Sequence, residues 1–242
     1  MLKNLVRNLA KRRGYEILGY PRAYADERSF RTLLDQQGIN LVLDVGANEG
    51  QFVDGLRSAG YHGRVISFEP LSSAHARLRA HAAGDPNWTV AERTAVGAAH
   101  GSMEIHISGN SYSSSILPML SKHTEAVPAS AYVGTEAVEV NRLDDLFTPS
   151  PSDRILLKID VQGYEEYVLH GAPKILACCR AVSLEMSLIP LYEGQALALP
   201  LWNRIVSAGF EPWVIEAGFR EPKSGRVLQI DGLFVRSGRQ HL

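Results

Sequence analysis

The sequence predicts an α/β fold: a mostly parallel sheet with helices on both faces and an antiparallel strand pair near the C-terminus. Three observations predict it. Short apolar runs alternate with longer amphipathic stretches along most of the 242 residues. A glycine-rich turn follows the first apolar run directly. The last two strand-like segments are separated only by the turn material Pro222-Lys223-Ser224-Gly225.

Residues 40–45 (Asn-Leu-Val-Leu-Asp-Val) form an apolar run ended by Gly46, as in a strand buried on both faces. Over 50–60, Phe52, Val53, Leu56 and Ala59 share one helical face and Gly60 is the stop. Residues 64–68 read as a second strand, 71–83 as a second helix and 88–96 as a third strand. Met103, Ile105 and Ile107 then alternate with Glu104, His106 and Ser108, the pattern of a half-buried strand. Residues 109–134, rich in Ser, Pro, Gly and Tyr, read as a long loop, and loops of that length usually serve function. A short strand at 136–140 and one helical turn at 143–146 follow. Residues 154–160 are a buried strand, and 164–178 a helix that Pro173 kinks or divides. A strand at 181–186, a helix at 196–208 ended by Gly209, and strands at 211–216 and 227–235 complete the chain.

The length suits one large unit. We expect an N-terminal helical extension over 1–36 and a single unit over 37–242, with an inserted loop and strand region at about 100–150. Hydrophobic residues make up 45% and charged residues 21%, which excludes whole-chain disorder and coiled coil. Lys and Arg number 25 against 26 Asp and Glu, so the net charge of -1 gives no electrostatic reason to bind nucleic acid. Cys178 and Cys179 are neighbours and build neither a disulfide framework nor a zinc spacing. With no apolar run long enough to span a bilayer and no signal-peptide core, a cytoplasmic location is expected. Lys3, Arg7, Lys11, Arg12 and Arg13 accompany Leu2, Leu5, Val6 and Leu9 at helical spacing. Such a helix either packs its Leu face on the protein, the commoner use, or makes peripheral contact with the inner face of the membrane.

The sharpest chemical feature is Asp44-Val45-Gly46-Ala47-Asn48-Glu49-Gly50. Ligands of open parallel sheets bind beyond the carboxyl ends of the strands. Gly46 permits a tight turn and close ligand approach, and Gly50 a close strand–helix packing. The spacing is not G-x-G-x-x-G and no Walker lysine follows, which disfavours a pyrophosphate cradle. Glu69, in Phe68-Glu69-Pro70, ends the second strand, where an acid accepts two hydrogen bonds from a ribose diol.

Together with Leu157-Lys158-Ile159-Asp160-Val161-Gln162-Gly163-Tyr164-Glu165, these strings resemble the FkbM-type S-adenosylmethionine-dependent methyltransferases, over about residues 40–187. Smaller echoes are Thr94-Ala95-Val96-Gly97, Ser113-Ser114-Ser115, Val140 to Leu146, and Leu184-Glu185-Met186. The resemblance implies a class I methyltransferase (Rossmann-like) sheet, S-adenosylmethionine as cofactor, and methyl transfer to a hydroxyl of a sugar or natural product. It implies that Asp44, Gly46, Ala47, Asn48 and Gly50 surround the methionine end. Glu69 would take the ribose, Pro70 and Leu71 would lie beside the adenine, and Thr94 and Ala95 would form its opposite wall.

A hydroxyl acceptor needs alignment and a group to take its proton. Asp160, His170 and Glu185 are the candidates, with Asp160 first because it ends a strand; holding the cofactor's amino group or capping the next helix is its equally weighted alternative. His170 fits a helix-face residue better. Lys158, inside a buried strand, needs an acidic partner such as Glu185. The stretch 110–115 suits a sugar pocket or a plain loop; His106, His123 and Tyr192 are weaker pocket candidates, and Trp202 and Trp213 are expected in the core. The acceptor is expected to be a small molecule or a glycolipid. The rivals are a nucleotide-dependent oxidoreductase, an inactive nucleoside-binding module, and a metal-dependent O-methyltransferase using magnesium. For the last, no clear ligand set is present: Asp144-Asp145 precedes the fourth strand and reads as a capped turn.

Overall fold

The computed structural model describes residues 25–238. The basic segment 1–13, and with it the membrane reading, lies outside the described residues. The first described helix, α1 (Ala25–Gln36), leads into β1 (Leu41–Val45), α2 (Gln51–Ser58), β2 (Arg64–Phe68), α3 (Ser72–Ala82) and β3 (Trp88–Val90). After β4 (Ala95–Val96), β5 (Gly101–Ser108), α4 (Ser121–Ala126), β6 (Tyr132–Asn141) and the single turn α5 (Leu143–Leu146), the main alternation resumes. It continues through β7 (Ile155–Ile159), α6 (Glu165–His170), α7 (Pro173–Cys178), β8 (Cys179–Ser187), α8 (Ala198–Ser207), β9 (Phe210–Ala217) and β10 (Gln229–Arg236).

Among the described residues, seven strands form the main sheet in the order β3-β2-β1-β7-β8-β10-β9. β1 pairs in parallel with β2 and β7, and β7 with β8. β10 runs antiparallel between β8 and β9, so the expected terminal hairpin is present. The central strands β1 and β7 are buried at every position, as strands covered on both faces must be. One core cluster holds Leu41, Leu43, Leu157 and Ile159; the other holds Val42, Leu156, Leu33 and Leu56, so alternate residues of a strand feed opposite faces. α5, α6, α7 and α8 contribute to the first cluster, α1, α2 and α3 to the second.

Three local readings are corrected, and Pro173 takes the second of its two expected roles. Residues 88–96 are not one strand: β3 ends at Val90, and Ala95–Val96 pairs with β6 in a second, three-stranded sheet of order β4-β6-β5. The polar run Glu92-Arg93-Thr94 marks the break. Residues 109–134 are not a plain loop, because they contain α4, a 3₁₀ turn at Pro128–Ser130 and the start of β6. Pro173 begins α7 and divides the predicted helix. Asp144 accepts the α7 N–H groups of Lys174 at 3.0 Å and Ile175 at 2.9 Å, so this acid satisfies a helix start. Trp213 is not in the core: β9 is an edge strand and the ring is 50% exposed, whereas Trp202 packs edge-on to Phe234.

Candidate active site

A cavity of about 680 Å³ opens beyond the carboxyl ends of β1, β2, β7 and β8. Its first wall is the turn between β1 and α2. Gly46 stands at φ +79°, where a Cβ would lie 1.8 Å from the Asp160 carbonyl oxygen. Gly50 stands at φ +103°, and a Cβ there would lie 2.5 Å from the Trp88 ring. Asn48, between them, is also left-handed at φ +48°. Glycine is required at the first two positions both by conformation and by space.

Asp44 is fully buried beneath this turn. Its Oδ2 accepts from the Ser67 hydroxyl at 3.0 Å, and Trp88 Nε1 donates to that hydroxyl at 3.0 Å. Lys158 Nζ lies 3.1 Å from Asp44 Oδ1 and donates to the Gly46 carbonyl at 2.8 Å. The partner of Lys158 is therefore Asp44, its register neighbour across β1 and β7, rather than Glu185. Burial opposes the Lys158 charge, but the Asp44 and Asp160 carboxylates hold the ammonium above its usual range. Buried ions persist when paired and hydrogen-bonded in this way.

Glu69 is 5% exposed at the end of β2. Oε2 accepts the Asn48 N–H and Oε1 the Leu71 N–H, each at 2.8 Å. Burial outweighs these two bonds and pushes its carboxyl up to about 7. Pro70, Leu71, Thr94 and Ala95 line the same end of the cavity. The Thr94 hydroxyl is engaged with the Glu139 carbonyl at 3.0 Å and the Asn141 amide at 3.0 Å, inside the second sheet.

At the other end, Asp160 follows β7 and Glu185 lies on β8. One amide joins them: Gln162 Nε2 donates to Asp160 Oδ1 and to Glu185 Oε2, both at 2.8 Å. Gln229 Nε2 also donates to Glu185 Oε2 at 2.8 Å. Burial, then the charges of Asp160, Glu165 and Asp231, raise Glu185 well above the carboxylate range. Asp231, directly opposite Glu185 across β8 and β10, is raised to about 6, first by burial and then by Asp160 and Glu216. Among the described residues, no group of three or more His, Cys, Asp or Glu side chains is arranged to hold a metal ion.

The structure thus brings Gly46, Ala47, Asn48, Glu69, Pro70, Thr94, Ala95, Asp160 and Glu185 to one cavity, with Asp44 and Gly50 packed behind its wall. It does not bring His170 there: that ring is exposed at the end of α6, with Nε2 2.7 Å from Arg204 Nη1 of α8. Of the weaker candidates, Ser111, Tyr112, Ser114 and Ser115 line the cavity, while His106 stacks on Tyr132 at 4.7 Å. Tyr192 and His123 are buried against each other in a separate apolar cluster with Leu191 and Leu228. Gln162, Glu165, Gln229 and Asp231 were not singled out from the sequence. Gln162 and Glu165 sit inside the string that carried the resemblance; the other two have no local signature.

The family model for the methyltransferase FkbM domain matches residues 44–220. The 2-O-methyltransferase NoeI of Sinorhizobium fredii is 28% identical over 168 residues, covering 66% of this chain and 68% of that protein. Among solved structures, an rRNA methylase from Streptococcus thermophilus superposes with TM-score 0.47 at 9% identity, over 91% of this chain and 98% of its own. The glycopeptide N-methyltransferase MtfA, complexed with sinefungin, superposes with TM-score 0.42 at 12% identity, over 88% and 87%.

Proposed function

The chain belongs to the FkbM family of S-adenosylmethionine-dependent methyltransferases, and from that premise we propose that it methylates a hydroxyl of a glycosyl unit carried by a glycolipid or small natural product. One observation carries this reading: Glu69 and the Asp160–Glu185 pair face the same cavity from opposite ends. The name of the similar protein NoeI, a 2-O-methyltransferase, supports oxygen as the accepting atom.

The residues suit the cofactor. Each Glu69 oxygen accepts one backbone N–H and keeps a lone pair for a ribose hydroxyl. Gly46, Ala47 and Asn48 line the cavity at the turn, where a ligand's amino-acid end would lie beside Asp160. When bound there, S-adenosylmethionine supplies an electrophilic methyl with its leaving group already in place. Pro70, Leu71 and Ala95 give the adenine an apolar slot. Asp160 takes the proton of the acceptor hydroxyl. Burial and the neighbouring acids raise Glu185 well above the carboxylate range, which favours its protonated form and makes it less available as a base. Ser111, Tyr112 and Ser114 offer hydroxyls and a ring to a sugar.

We read residues 37–242 as one catalytic unit, a reading supported by a cavity lined from both sheets. A lipid-linked acceptor suits the basic segment 1–13; failure to sediment with anionic vesicles at low salt removes that part of the proposal.

Incubation with methyl-labelled S-adenosylmethionine and a panel of glycosides and catechols, with and without chelator, tests the assignment. The expected product is a labelled glycoside ether. Label on catechols alone, lost with chelator, would overturn it. Asp160→Asn is expected to lower turnover by about 100-fold or more while cofactor affinity stays within a few-fold.

A further inference from the structure

Gln162 is the meeting point of three chain segments. Its own turn follows β7, with Gln162 left-handed at φ +54° and Gly163 at φ +97°. Glu165 Oε1 anchors that turn by accepting the N–H groups of Val161 at 3.2 Å and Gly163 at 3.0 Å. The second segment comes from the stretch between β5 and β6: the Ser115 hydroxyl donates to the Gln162 carbonyl at 2.7 Å. The third lies between β8 and α8: the Tyr192 hydroxyl is 2.9 Å from Gln162 Oε1 and 3.1 Å from the Ser113 carbonyl.

These contacts fix the side-chain amide. A phenol donates one proton, and the oxygen of the amide is the acceptor it meets at the shorter distance. With Oε1 facing Tyr192, both hydrogens of Nε2 face carboxyl groups, one on Asp160 and one on Glu185. The Tyr192 ring is immobilised in turn: it is fully buried, and a Cβ on Gly163 would lie 3.0 Å from it. A left-handed backbone at a non-glycine residue is costly, and here it aims one amide at two acids.

We propose that Gln162 is a positioning residue: its amide holds the Asp160 and Glu185 carboxyl groups side by side at the acceptor end of the cavity, and Tyr192 fixes which way that amide faces. The inference rests on the methyltransferase reading, because it gives Asp160 its task. The Asp160 carboxyl is thus held from both sides, Oδ1 by the amide and Oδ2 by Lys158, whose Nζ lies 3.8 Å away. Gln162 also ties the acid pair to the stretch 113–115, of which Ser114 and Ser115 line the cavity. The ionisable groups around Glu185 include Asp160, Glu165, Asp231, Lys158 and Tyr192.

Carbon-13 NMR of protein labelled at Glu side-chain carboxyl carbons tests the inference without a known acceptor. Asparagine tolerates the left-handed turn but its amide stops one methylene short. In Gln162→Asn, Glu185 loses a donor to its charged form, so its titration should move up by about one pH unit, roughly tenfold in proton affinity. An unchanged Glu185 titration in a folded Gln162→Asn protein overturns the proposal. Hydrogen exchange in the unaltered protein gives a second reading that needs no variant to fold. The Gln162 side-chain amide should be protected, and Tyr192→Phe should lose that protection; an unprotected amide in the unaltered protein overturns the proposal. Calorimetry with S-adenosylmethionine on the same samples separates the two claims. No binding by the unaltered protein counts against the methyltransferase reading, whereas binding with an unmoved Glu185 counts against Gln162.

Discussion

A carboxyl group as deeply buried as Glu69 holds its proton to about pH 7. Its folded-state value is raised above the usual one near 4.5, so its contribution to stability is complete below about 4.5 and is lost as pH rises through about 7. A ribose diol donates to the ionised form and favours proton release. Cofactor affinity should therefore rise with pH up to about 7 and level off above it. Calorimetry near pH 7 in two buffers of different ionisation enthalpy should show release of a fraction of a proton, up to about one half, on binding. No released proton would contradict Glu69 as the ribose acceptor. Lys158 makes a second claim on single residues. Lys158→Met leaves the fully buried Asp44 without its cation, and breaking a buried pair in this way costs about 3–5 kcal/mol. Urea unfolding measures the loss; a change below about 1 kcal/mol, the size of an exposed pair, would show that Asp44 is compensated by other groups.

At the scale of elements, α7 begins at Pro173, and its first N–H groups depend on Asp144 from a distant turn. Asp144→Ala should cost about 1 kcal/mol in urea unfolding and leave cofactor affinity unchanged, because Asp144 does not line the cavity. The parallel strands were legible because burial on both faces writes them as nearly continuous apolar runs, Leu41–Val45 and Ile155–Ile159 among them, each broken by a single charged residue, Asp44 or Lys158. The stretch 109–134 was not, since Ser-Lys-His-Thr-Glu-Ala of α4 is short and polar, with no periodicity to show a buried face. Trp213 was misread because edge position is a property of strand order, which no local pattern encodes. The same distinction divides the site. Gly46, Glu69 and Asp160 lie at strand ends inside short motifs and could be read directly. The contact of Tyr192 with Ser113 joins residues 79 apart, and that of Tyr192 with Gln162 residues 30 apart; neither leaves a trace in local sequence.

At the scale of the whole molecule, both sheets line one cavity, and three connecting segments pack on one another beside them. The Leu120 N–H donates to the Leu191 carbonyl at 2.9 Å and the Leu188 N–H to the Leu228 carbonyl at 2.8 Å, so the segments after β5, β8 and β9 are stitched together. Tyr192, Leu191, Leu228 and Ala126 pack between them as a satellite core. Of these segments, the one after β5 lines the cavity, through Ser111, Tyr112, Ser114 and Ser115. Among the described residues no helix is long and apolar enough to cross a membrane. The central claim is that the cavity holds S-adenosylmethionine with its ribose on Glu69. Calorimetric titration of the cofactor into the unaltered protein and into Glu69→Ala tests it most directly. The expected result is a dissociation constant on the order of micromolar for the former and binding weakened by about 100-fold or more in a folded Glu69→Ala protein. No binding by the folded, unaltered protein, or equal binding by Glu69→Ala, would contradict it.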